Sequence, residues 1–274
     1  MIIASFNLNG IRSASRKGFF EWLESRPDID VLCLQELKAG SPELGEFELR
    51  LAGMGFAHVQ WHCAVKKGYS GTALCARHAP DASGFGFGEP EFDDEGRLCW
   101  AHFGSLDICS AYFPSGSAGE HRQASKLRFL SAFAPWLAQL RARGARPLVC
   151  ADLNIAHTDL DLKNWKGNVE APGCTSAERA WMDRWLAAGW IDVGRALRPG
   201  DPYYTWWSQR GGSRARDVGW RIDAQICGPE LAAAALDARV EREPVFSDHA
   251  PLLVEYAGGF ASWRSPIPAP SIVH

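Results

Sequence analysis

The chain has 274 residues, of which 46% are hydrophobic and 22% charged, with a formal net charge of −3 and eight cysteines. Such a chain can bury a large core, and its charge balance excludes a strongly basic nucleic-acid coat protein but not a local basic groove, because phosphate affinity depends on where charge sits. No secretory leader precedes the strand pattern at Met1-Ile2-Ile3, no apolar run spans a bilayer and no Cys/His spacing suggests zinc, so a cytoplasmic monomer with reduced, buried thiols and no membrane attachment is expected.

The segment 2–6 reads as a strand that ends in Asn7 and Asn9. A helix over 17–25 follows, with Phe19, Phe20, Trp22 and Leu23 inward, and Pro27 ends it. A second strand, 30–34, runs into Gln35 and Glu36, and 43–53 suits a short helix. Strands are expected at 57–62, 71–76, 97–103 and 106–112, with glycine-rich reversals at 68–71 and 84–88. After a loop at 114–119, an amphipathic helix over 120–143 places Leu127, Leu130, Phe133, Leu137 and Leu140 at helical spacing. The apolar run 148–151 reads as a buried strand closed at once by Asp152 and Asn154. Residues 159–174 are polar and irregular, and Ser176 is a plausible cap for a helix over 177–188 that Gly189 ends. A long loop over 201–219 carries two tryptophans and three arginines; strands at 220–226 and 251–256 follow, then a Pro-rich tail from Trp263. No linker or repeat divides the chain, so one domain over 1–262 and a tail over 263–274 are expected.

Asn7, Asn9, Glu36, Asp152, Asn154, Asp223, Asp248 and His249 each border an apolar run. Singly, such residues are turn formers or caps. Together, at the ends of buried strands, they suggest a set of reacting groups held at a sheet rim. Oxygen ligands without a Cys/His cluster favour Mg²⁺ or Mn²⁺ over zinc, with Glu36 and Asp248 suited to the metal. Asp152, held by Asn154, can accept a proton from an attacking water, and His249, oriented by Asp223, can hydrogen-bond a phosphoryl oxygen.

The stretches SFNLNGIR (5–12), LCLQELK (32–38), GYSGTAL (68–74), AYFPSG (111–116), ADLNIAH (151–157), NWKGN (164–168), ERAWMD (178–183), GWRID (219–223) and FSDHAP (246–251) occur in this order through nearly the whole chain. This set resembles the exonuclease III family of abasic-site endonucleases, within the endonuclease/exonuclease/phosphatase superfamily. The resemblance implies an α/β fold, a four-layer αββα sandwich of two mixed sheets with the site at one rim. It implies a Mg²⁺-dependent repair nuclease that hydrolyses the phosphodiester 5′ to abasic sites in double-stranded DNA, with 3′-end processing as a secondary activity.

Carried over residue by residue, Glu36 matches the main metal carboxylate, with Asn7, Asn9 and Asp248, and with Asp152, Asn154 and His249 as further metal contacts. Tyr112 matches the phosphate-contacting tyrosine, Asp152 the base, Asn154 its partner, and Asp223 and His249 the orienting pair. Trp206, Trp220 and Ile222 match an apolar pocket for a flipped-out baseless sugar, whose extrusion from the duplex costs least. Lys163, Lys166, Arg210, Arg214 and Arg216 are candidate phosphate contacts. Leu37 replaces a commoner Thr, and Asn9 stands where some members carry Asp, which should weaken metal binding. Gly173 lies opposite the pocket, where the missing side chain is expected to leave room for duplex on both sides of a lesion and so to favour internal incision over trimming.

Two other readings compete. Some relatives of this fold, such as the catabolite-repression control protein of pseudomonads, are RNA-regulatory binding proteins without nuclease activity. They lose acidic and amide groups that this chain keeps at Glu36, Asp152, Asn154, Asp248 and His249. Inositol-phosphate and sphingomyelin phosphodiesterases share the superfamily, but the aromatic pocket positions and GWRID favour DNA.

Overall fold

Two six-stranded sheets face each other in the computed structural model, which describes residues 1–263. The first sheet runs, edge to edge, Ala235–Val240, Leu252–Tyr256, Ile2–Asn7, Ile29–Gln35, Thr72–Ala76 and His58–His62. The second runs Ala82–Phe85, Leu98–Phe103, Leu106–Tyr112, Arg146–Asp152, Asp223–Cys227 and Ile191–Asp192. In each sheet the central pair is parallel, Ile2–Asn7 with Ile29–Gln35 and Leu106–Tyr112 with Arg146–Asp152, so the C-terminal ends of four strands come to the same rim. These central strands are buried on both faces and largely apolar, with a few polar side chains paired inside.

One layer of side chains fills the space between the sheets. Ile3, Val31, Cys33 and Leu74 from the first meet Cys99, Ile108, Leu148 and Cys150 from the second. Helices Ile11–Arg16, Phe19–Glu24 and Gly45–Gly53 supply the apolar cover of the first sheet, and Glu120–Ala142 and Ser176–Ala187 that of the second. The result is the expected αββα sandwich. Polar bonds also cross between the sheets: Gln35 Nε2 donates to Ser110 Oγ at 3.1 Å, and Gln225 Nε2 to the Ile3 carbonyl at 2.9 Å. In a dry interior such bonds fix how one sheet sits on the other, because a slip leaves polar groups unpaired.

The differences from the sequence reading have local causes. The helix expected over 17–25 runs Phe19–Glu24, because Gly18 holds a φ of +91° that no helix accommodates, and a further helix, Ile11–Arg16, precedes it that the sequence reading did not give. Leu127 is 37% exposed; the inward stripe of the long helix runs Lys126, Phe129, Leu130, Phe133 and Leu137. Thr175, not Ser176, caps the following helix: its hydroxyl accepts from the Glu178 amide in a capping box, worth about 1 kcal/mol. The glycines at 84–88 are only partly a turn. Gly84 lies in an edge strand, where a Cβ would meet the Trp100 ring at 2.5 Å. The strand expected at 220–226 splits, with Gly219–Trp220 pairing Trp206–Trp207 in a small ribbon and Asp223–Cys227 joining the second sheet. Strand Ala235–Val240, with its irregular pattern, was not expected. Of the tail at 263–274, all but Trp263 lies outside the described residues.

Candidate active site

Strand register assembles the site. Asp152, last residue of its strand, pairs with Tyr112 on one side and Asp223 on the other, so three polar side chains stand in a row across neighbouring strands. The facing sheet contributes the loops after Asn7 and Gln35, which are zipped together: the Gly10 amide donates to Glu36 O and Ile11 to Leu37 O, while the Lys38 amide donates to Ser70 O in the turn before Thr72–Ala76. Four non-glycine residues at this rim, Asn9, Glu36, Lys38 and Asn154, hold φ between +47° and +57°. Left-handed backbone of this kind is costly and gathers where geometry serves chemistry.

Asp152 and His249 are buried, and Asp223 lies behind them. His249 Nδ1 is 2.9 Å from Asp223 Oδ2, and Nε2 is 3.8 Å from Asp152 Oδ2. Burial pushes the Asp152 carboxyl up to about 7; His249 opposes the rise and Asp223 adds to it. Burial disfavours charge on His249, yet Asp223 and Asp152 together outweigh it and lift the imidazole to about 10. The other contacts to Asp152 are neutral donors, Asn7 Nδ2 at 2.8 Å and the Asn154 amide at 2.9 Å. Ligand atoms of Asp152, Asp223 and His249 lie within 4.8 Å of one another, a cluster able to hold a metal ion, and buried Asp223 Oδ1 has no hydrogen-bond partner.

A second group of oxygens lies beside it. Lys38 Nζ is 2.7 Å from Glu36 Oε1 and 2.5 Å from Asn9 Oδ1, so these two oxygens converge on one cation within the chain itself. Asn9 Nδ2 donates to Asp248 Oδ1 at 2.9 Å, and the Trp206 indole to Asp248 Oδ2 at 3.1 Å. Burial alone would raise the Asp248 carboxyl; His249 and the bonds from Asn9, Trp206 and Ser247 hold it below its ordinary value. The amide at position 9 therefore supplies a donor that an Asp would lack. Tyr112 stays protonated, its phenol pushed well up by burial and then by Glu36 and Asp152.

Asn9, Glu36, Tyr112, Asp152, Asn154, Asp248 and His249 face one cavity of about 410 Å³, of which one side is apolar, while Asp223 does not reach it. Trp206 and Trp220 meet edge to face, ring centres 6.1 Å apart, and Ile222 completes that wall. Gly173 also lines the cavity, but its glycine is demanded locally: φ is +90°, and a Cβ would lie 2.9 Å from Asn154 O and 3.2 Å from the Trp220 ring. The close approach to Asn154 and Trp220 gives this glycine a local reason of its own, beside the expected one of leaving room for duplex.

Not every expected residue reaches the cavity. Asn7 is fully buried behind it, with its side-chain amide donating to Asp152 and its side-chain oxygen accepting from the Asn9 amide, and it does not line the cavity. Arg214 is no free phosphate contact: it donates to the carbonyls of Ser247, His249 and Arg242 and lies 4.6 Å over Trp207, which is itself core. Lys163, Lys166, Arg210 and Arg216 are exposed and lie outside the cavity wall. Leu37 is fully buried. Lys38, Ser115, Ser117 and Pro172 line the cavity although the sequence reading gave them no role. Lys38 was legible, because it lies two residues beyond Glu36.

The sequence model of the Endonuclease/Exonuclease/phosphatase family matches residues 4–249. An exodeoxyribonuclease of Bacillus subtilis is 35% identical over 92% of this chain and 98% of its own length. Among solved structures, an AP endonuclease from Archaeoglobus fulgidus superposes with a TM-score of 0.84 at 28% identity, covering 94% of this chain and all of that one. A 3′-5′ exonuclease from Neisseria meningitidis gives 0.85 at 29%, covering 93% and 99%. Both the whole-length match and the rim of acidic, amide and histidine groups lead to one assignment: the chain belongs to the endonuclease/exonuclease/phosphatase family, in its branch of exonuclease III and AP-endonuclease hydrolases.

Proposed function

We propose that this protein is a Mg²⁺-dependent DNA-repair nuclease that hydrolyses the phosphodiester 5′ to abasic sites in double-stranded DNA and also trims damaged 3′ ends. The observation that carries the reading is a buried carboxyl, Asp152, in strand register with Tyr112 and Asp223 beside a two-tryptophan wall. Similarity to an AP endonuclease and to a 3′-5′ exonuclease supports both activities. The two are one chemistry, since each displaces a 3′ sugar oxygen from phosphorus.

With its carboxyl near 7, Asp152 accepts the proton of the attacking water at neutral pH. Asn154 fixes its orientation: the backbone amide donates to Oδ1, and Nδ2 lies between Oδ2 and the Phe113 carbonyl. Protonated His249, turned by Asp223, and the Tyr112 phenol donate to the phosphoryl oxygens as their charge grows. Trp206, Trp220 and Ile222 offer the baseless sugar an apolar wall, and extrusion of such a sugar from the duplex costs least. Glu36, Asn9 and Asp248 fit a hard cation, since their oxygens already gather around Lys38 or hold donors that shape them. Mg²⁺ held there supplies charge neutralisation at the phosphate.

The test is a labelled duplex with one abasic analogue, run beside an undamaged duplex with a recessed 3′ end. Incision at the lesion that chelator stops and Mg²⁺ restores is the expected result. Full activity in chelator would remove the metal from the reading. Binding without cleavage of either duplex would move it to the RNA-regulatory class of the same fold.

A further inference from the structure

The ERAWMD stretch takes no part in the chemistry above, yet its first residue belongs to a fully buried ion pair beside the site. Lys126 Nζ lies 2.5 Å from Glu178 Oε1, and both side chains are wholly excluded from solvent. Lys126 comes from the long helix and also donates to the Asn154 carbonyl at 2.7 Å. Glu178 Oε2 accepts from the Gly173 amide at 2.9 Å, the Thr175 amide at 3.0 Å and the Thr175 hydroxyl at 2.7 Å. The Gly173 carbonyl in turn accepts from the Ala156 amide at 2.9 Å. One ion pair therefore ties the long helix, the turn after the Asp152 strand and the cavity wall.

Stability alone does not account for such a pair. Well-packed apolar residues of the same size are often as stabilising as a buried ion pair. What they cannot do is donate to a carbonyl and accept three hydrogen bonds at once. The carbonyl in question belongs to a residue that needs holding: Asn154 sits at φ +52°, fixed on its amide side by Asp152 Oδ1 and on its carbonyl side by Lys126. Gly173 approaches that same carbonyl so closely that no Cβ fits between them. A shift of the Asn154 carbonyl therefore moves both the partner of Asp152 and the wall beside Trp220.

We propose that Lys126 and Glu178 are positioning residues for the cleavage reaction, holding the Asn154 turn and the Gly173 wall in one register so that the base and the lesion pocket act as a unit. This rests on the nuclease reading above. Neither side chain touches substrate.

The experiment measures single-turnover incision of the abasic duplex at saturating enzyme, and the Kd for that duplex in chelator, at low temperature and at 25 °C. Lys126→Met is expected to lose about 10- to 100-fold in rate with little change in Kd, and to keep that defect in the cold. Leu51→Ala truncates the core under the helix that covers the other sheet, touches neither residue of the pair and should cut at close to the wild-type rate despite its lower stability. Because Lys126→Met leaves Glu178 as a lone buried charge, Lys126→Met combined with Glu178→Gln is the second variant; it should regain thermal stability but not rate. A wild-type rate in the double variant, or an equal loss in Leu51→Ala, overturns the proposal. A wild-type protein that cuts neither duplex overturns the nuclease reading itself, which is a different result from a wild type and Lys126→Met that cut equally fast.

Discussion

Two buried carboxylates, Asp152 and Asp161, flank the short segment 221–223 and meet opposite fates. Asp161 is held by two arginines: Oδ1 accepts from Arg221 Nε and Arg195 Nη2, each at 2.6 Å, while Thr158 donates its amide and hydroxyl to Oδ2. Asp192, 2.7 Å from Arg221 Nη1, completes the cluster. Burial disfavours the Asp161 charge, but Arg221 and then the other donors overcome it and hold the carboxyl far below its ordinary range. Asp152 is equally buried, but its cation is a histidine shared with a second carboxylate, and it is driven the other way. Burial is common to both. The ratio of fixed cations to carboxylates decides which group is scaffold and which can take up a proton at neutral pH. Arg221 links the two, because Trp220 and Ile222 on either side of it form the cavity wall that the scaffold cluster anchors.

The largest test of this contrast is Asp152→Asn. Abasic incision should fall by about 10²- to 10⁴-fold in single-turnover assays while duplex binding persists. Its folded carboxyl lies above the unfolded value, so ionised Asp152 costs stability at neutral pH. The variant should therefore unfold at an equal or higher temperature. Arg221→Met is the converse: it leaves Asp161 with Arg195 alone and takes from Asp192 its arginine, and it should cost about 3–5 kcal/mol in urea unfolding. At low temperature, its folded fraction should still cut.

The two clusters should also separate along the pH axis. Asp152 works as a base only when deprotonated, so with its carboxyl at about 7 kcat/KM should drop about 50-fold from pH 7 to pH 5. The Asp161 contribution has the opposite character: a depressed carboxyl stabilises above its unfolded value near 4 and is lost only as pH falls through the lower folded value. Circular dichroism should accordingly show an intact fold over the range in which activity falls. The smallest effect is expected from Trp206→Phe. It keeps an aromatic wall but removes the indole donor to Asp248, a carboxylate held by neutral donors rather than arginines. A loss of about tenfold in rate would show that the hydrogen bond matters beyond ring shape; an unchanged rate would leave Trp206 as wall alone.

The sequence determined the strands and what ends them. Apolar runs closed by Asn7, Glu36 and Asp152 are local patterns, and the backbone obeys them because burial of a strand on both faces leaves the first polar residue at the rim. The order of nine short motifs likewise identified the family, since it extends across most of the chain. Partnership was decided only by tertiary structure. Nothing local distinguishes Arg214, which braces the loop that carries His249, from the exposed Arg210, or shows that Lys126 turns inward where Leu127 fits the periodicity. Nor does the segment 220–226 announce that it divides between a two-stranded ribbon and the second sheet, which sends Arg221 into one charge cluster and Asp223 into another. Charge balance in a buried site depends on residues brought from distant parts of the chain, and its energy exists only where the fold has removed the water that would screen it.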